Sequence, residues 1–150
     1  MSAFSIDKKK ISVSAGGLPN LDDSTTFRHV YNFRYEMRMP KFDPTCVIFI
    51  TVYTIDRTSN RVVTLGYSII NLFLNSYSMQ PCTNPKDRET ILMEGNYQLP
   101  IYIMDPRMMP TLRMDRVGFL EKIPCASLLV RIMHSPKGEN GEVLSVRNVP

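Results

Sequence analysis

Two adjacent runs dominate the chain. Cys46–Ile55 and Arg61–Ile70 are rich in β-branched and aromatic residues, and the polar turn Asp56-Arg57-Thr58-Ser59-Asn60 separates them. Such side chains are stiff at χ1 and pack well on a pleated surface, so both runs predict strands. Their short separation predicts a β-hairpin or a short connection between two sheets. The first run is apolar on both faces, which predicts a central, covered strand. It is too short to cross a bilayer and it contains Thr51 and Thr54. Gly66 lies inside the second run and predicts a bulge or a close backbone approach there.

A further strand is expected upstream. Phe27, His29, Tyr31, Phe33, Tyr35, Met37 and Met39 alternate with Arg28, Val30, Asn32, Arg34, Glu36 and Arg38. This period of two is what a strand with one buried face requires. Pro40 ends the run. The polar face places Arg28, Arg34 and Arg38 in a line, a positive stripe interrupted by Glu36. Lys8, Lys9 and Lys10 add a basic cluster near the start.

Downstream, residues 71–90 read as an irregular loop marked by Pro81 and Asn84-Pro85. A second hairpin is expected, with arms Thr90–Met93 and Tyr97–Ile103 around the turn Glu94-Gly95-Asn96. Pro100 lacks a backbone donor, so its strand lies at an edge or its ladder is interrupted. Asp105 to Pro124 is another long connection, in which Met108, Met109 and Met114 are expected to cover core edges. A last strand covers Ala126–Met133. No helical periodicity emerges, and the strands with their Gly, Pro and Asn turns predict an all-β antiparallel sandwich with long Pro-rich loops. The organisation expected is an N-terminal segment at 1–26 with a short strand near Ile11–Ser14, a β domain at 27–134 and a tail or linker at 135–150.

Composition narrows the chemistry. At 150 residues the chain can bury a core without disulfide or metal staples. Its formal charge of +4 is too weak to name a nucleic-acid binder, and no recognised binding motif accompanies it. It has only two His and three Cys. Cys46, Cys82 and Cys125 lack metal-site spacing and read as ordinary thiols of a reducing, cytoplasmic compartment. The start places charge after a short apolar patch, the reverse of a secretory leader. His29 falls on the apolar face of its expected strand and reads as a partly buried histidine, while His134 reads as exposed. Nothing resembles GxSxG, a P-loop or GxGxxG. The chain therefore reads as non-enzymatic, with no cofactor and no metal.

The segment Val47–Arg57, the short polar loop after it and Leu65-Gly66-Tyr67-Ser68-Ile69-Ile70-Asn71-Leu72 resemble a C2 domain, in which an apolar strand ends in an acidic residue before the third top loop. Tyr31–Met37 resembles the aromatic strand preceding it, and Ala126–Ile132 a terminal strand of the permuted topology. The match covers about residues 27–72. The resemblance implies a C2-like sandwich, but the calcium pattern departs. A hard cation needs six or more oxygens. Here the top loop has Asp56 followed by Arg57, and Asp22 and Asp23 read as turn residues instead.

The function expected is a calcium-independent C2-like protein-interaction module. Its relatives by resemblance serve in scaffolds of cilia, centrosomes and the axoneme, where tubulin is one acidic partner. The alternative is a peripheral domain that binds anionic phospholipid through Arg28, Arg34, Arg38 and the lysine cluster. An enzyme domain using His29 or His134 is the weakest reading, and nucleic acid is not an expected partner.

Overall fold

The computed structural model describes residues 18, 22, 24–25, 28–31, 43–108, 114–135 and 137–141. Two compact units divide the chain: one takes Met1–Ile6 and Lys41–Met133, the other Asp7–Pro40 and His134–Pro150. The described part is mostly antiparallel β-structure. No helix among the described residues is long and apolar enough to cross a membrane.

Among its described residues the first unit has six strands: β1 (Val47–Asp56), β2 (Arg61–Asn71), β3 (Phe73–Asn75), β4 (Thr90–Leu92), β5 (Gly95–Tyr102) and β6 (Lys122–Ile132). Two 3-10 turns, Pro106–Met108 and Met114–Phe119, lie between β5 and β6. One sheet has the order β1-β2-β5-β6, and β3 pairs with β4 in a second, two-stranded sheet.

The expected hairpin forms from β1 and β2. Its register runs from Val47 opposite Asn71 to Asp56 opposite Arg61. An extra residue, Leu65, bulges from β2 where the partners pass from Val52–Gly66 to Tyr53–Thr64. Both readings of Gly66 hold. A Cβ there would stand 2.5 Å from Ile101 Cγ2 and 2.6 Å from the Tyr102 carbonyl oxygen, so only glycine lets β2 approach β5 this closely.

Pro100 takes the second of its two expected roles. β5 is an interior strand, and its ladder is interrupted instead. β5 meets β2 in register only at Tyr67 opposite Tyr102. Beside that break the fully buried Ser68 donates its hydroxyl to the Pro100 carbonyl at 2.6 Å. A side chain thus supplies a link where the ladder is sparse.

The core sits at the inner end of the hairpin. Ile69, Tyr102 and Val117 are buried together, with Val47, Phe49 and Leu120 packed against them. Ile70, Leu72, Leu99 and Ile101 are also buried.

Several expectations are corrected. β1 lies at the edge of its sheet among the described strands, not in the centre. Its apolar residues came from the inner half, which packs on the core, and from an outer half that stays exposed. The expected second hairpin does not form: β4 pairs with β3 inside the segment read as loop, and β5 pairs with β6. A three-residue strand carries too little pattern to show in sequence. β6 starts at Lys122, ahead of Ala126, because an edge strand tolerates Pro124. Met108 does not cover the core. It is exposed, and Pro106 and Val117 fill that role.

In the second unit, Thr25 and Arg28 exchange two backbone hydrogen bonds, and the Ser24 hydroxyl accepts from the Val30 N–H at 3.0 Å. Residues 28, 29 and 31 have no regular structure and Val30 is an isolated bridge residue, so they do not open a regular strand. The remainder of the expected 27–39 strand lies outside the described residues, as do the strand near Ile11–Ser14 and the tail beyond Gly141.

Candidate interaction site

Opposed residues of an antiparallel pair share a face, and successive residues alternate. Val47, Phe49, Thr51, Tyr53 and Ile55 of β1 therefore line one face of the hairpin, together with Ile69, Tyr67, Thr64 and Val62 of β2. At the inner end this face is covered by Val117 and Leu120. The cover ends at Arg107, whose guanidinium lies 5.9 Å from the Phe49 ring centre. Beyond it the face is bare: Tyr53 is 61% exposed, Ile55 64% and Val62 70%. On the opposite face of the outer half, Val63 and the bulged Leu65 are also exposed.

Arg107 is fixed in place. Its Nε and Nη2 donate to Asp105, Nη2 to Oδ2 at 2.8 Å, and its backbone N–H donates to Oδ1 at 2.9 Å. Burial pushes the Asp105 carboxyl up, but the bonds from Arg107 outweigh it and hold it below the ordinary range. The Asp105 hydrogen bond raises the Arg107 guanidinium in turn, with the phenols of Tyr67 and Tyr53 adding to it.

The tip turn is closed by Asp56. Its Oδ1 accepts the Thr58 N–H at 3.0 Å and its Oδ2 accepts the Ser59 hydroxyl at 2.7 Å. Those bonds, led by Ser59, hold its carboxyl below the usual range. Asn60 completes the turn with φ 53°, a conformation its short polar side chain tolerates. Asp56 is thus a turn residue bonding its own loop, as its sequence context predicts. Arg57 and Arg61 are exposed beside it.

The other sequence candidates fall elsewhere. Arg28 is exposed, with its N–H on the Thr25 hydroxyl. Arg34, Arg38, Lys8, Lys9, Lys10 and Asp23 lie outside the described residues, and Asp22 sits in a turn. His29 is exposed and lies outside any strand, which corrects its reading as a partly buried strand histidine. His134 is exposed as expected. Cys46 is half-buried, Cys82 a buried thiol and Cys125 an exposed one. Burial, helped by the Asp87 charge, pushes the Cys82 thiol up, so it is a poor nucleophile.

The bare apolar arm was not singled out in the sequence. Its signal was present as apolar residues on both sides of a polar turn, but that pattern does not distinguish a covered strand from an exposed one. A second opening, on the β5–β6 ribbon, is lined by Asn96, Tyr97, Gln98, Val130, Arg131 and the exposed Leu129. Comparison of the chain with protein-family models, with curated proteins and with solved structures finds no match.

Proposed function

We propose that the chain is a non-catalytic protein-interaction module whose binding surface is the outer half of the β1–β2 hairpin. The observation that carries this reading is the bare face of Tyr53, Ile55 and Val62 on a hydrogen-bonded arm. Apolar residues scattered singly on a surface need no explanation, but a contiguous group marks a docking site. Fully burying one Val or Ile is worth roughly 1.5–3 kcal/mol, so few residues suffice for a hot spot.

Charge defines the partner. Arg57 and Arg61 flank the patch, while the Asp56 carboxylate is engaged by its own turn. The complementary surface is an apolar groove edged with carboxylates. The finer reading is a C2-like sandwich that works without calcium, of the kind found in ciliary, centrosomal and axonemal scaffolds. The single carboxylate at the tip supports calcium independence, and the acidic surface of tubulin has the matching charge.

A photo-crosslinker placed at Ile55, compared with one at the exposed Lys86, tests the reading in cells. The expected result is a protein adduct from position 55 alone that disappears in the Arg57→Glu/Arg61→Glu variant. Equal adducts from both positions, or none, reject it. If Ile55→Asp instead abolishes pelleting with phosphatidylserine vesicles, the arm is a lipid-docking element.

A further inference from the structure

We infer that the outer edge of β1 takes up an extended segment of a partner protein, alternately apolar and acidic, as an additional strand. The inference rests on the arm being the interaction surface and specifies how it is used.

The two edges of the four-stranded sheet differ. β6 carries Lys122, Pro124 and Arg131, and Cys125 at φ 56° breaks its line. Charges, proline and irregularity are the devices by which sheet edges repel stray strands. β1 has none of them from Val47 to Ile55. Among the described residues no strand lies beyond it. The bulge that interrupts the hairpin falls on β2, so β1 itself runs unbroken for ten residues. A long, regular edge offers alternate N–H and C=O groups to an added strand, and exposed side chains beside them give that strand its sequence preference.

Charge selects the occupant. A second copy paired antiparallel along β1 would lay the Arg57 end against Val47 and Ile48, which offer no carboxylate. A parallel copy would set Arg57 against Arg57. A segment alternating apolar residues with Glu or Asp satisfies both features: one face meets Tyr53 and Ile55, and its carboxylates reach Arg57 and Arg61.

The test uses the full chain and two synthetic ten-residue peptides, one alternating valine with glutamate and one alternating valine with lysine. Fluorescence anisotropy gives affinity and backbone amide exchange locates the contact. The glutamate peptide is expected to bind at least tenfold tighter and to slow exchange of β1 amides but not β6 amides. Arg57→Glu/Arg61→Glu is expected to reverse the preference. Thr54→Glu, at an exposed position on the face that meets the carboxylates, is expected to weaken binding of the glutamate peptide by like-charge repulsion. No binding, equal binding of the two peptides, or binding without slowed β1 exchange overturns the inference. So does β1 protection that grows with protein concentration in the absence of peptide, the signature of a second copy. An Ile55 adduct in cells together with unprotected β1 amides brings down edge pairing alone, whereas loss of the adduct brings down the surface reading.

Discussion

The inner and outer halves of the β1–β2 hairpin use the same kinds of residue to opposite ends. In the inner half, Ile69 and Ile70 are buried, and Phe49 packs on the core. In the outer half, Ile55 and Val62 are equally β-prone and mostly exposed. The ladder is continuous through both halves apart from the Leu65 bulge. Strand formation and core formation are thus separable here. Backbone pairing carries the ribbon outward past the point where tertiary cover stops, and the change falls at Gly66.

If that division is real, substitutions should lose effect along the hairpin from base to tip. Gly66→Val is expected to cost the most, about 3 kcal/mol, because its side chain meets the Tyr102 backbone oxygen as well as Ile101. Denaturant unfolding measures it, and a loss under about 1 kcal/mol would show that β2 and β5 can part freely. Ser68→Ala comes next, at roughly 1–2 kcal/mol, since the Pro100 carbonyl loses its hydroxyl donor in a buried place.

Asp105→Asn probes the boundary between the halves. The folded carboxyl lies below its ordinary value, so its stabilisation is present above the ordinary carboxylate range and fades as pH falls through the lowered value. The native chain should therefore exceed the variant in stability at neutral pH, by less than about 1 kcal/mol because the guanidinium is half exposed and screened by solvent, and the gap should close in acid. A gap that persists or widens in acid would assign the effect to packing. Val62→Thr, which keeps β-branching, should change stability by no more than about 0.5 kcal/mol while weakening partner capture. A larger loss of stability would mean the outer half belongs to the core after all.

The same contrast explains what was legible in the sequence. β1, β2, the Gly66 approach and the Asp56 turn were readable because each is written in a local pattern. The partner of β4 was not, because Phe73–Asn75 is short and its pairing spans an intervening loop. Nor was the proposed interaction surface, since Phe49 and Ile55 look alike until Val117 and Leu120 cover one end of the hairpin and not the other. The start of β6 was hidden by Pro124, which reads as a breaker unless the strand is known to be an edge.

The narrow seam between β2 and β5 has a mechanical consequence. The sheet is two ribbons stitched together at Tyr67 and Tyr102, with the Ser68–Pro100 hydrogen bond beside the stitch. A tug on the tip of the arm travels down β1 and β2 and arrives at that seam as shear. The ribbons resist as a unit only while the stitch holds, so this short row of contacts, more than the long ladders on either side, sets how much tension the sheet can carry before it opens.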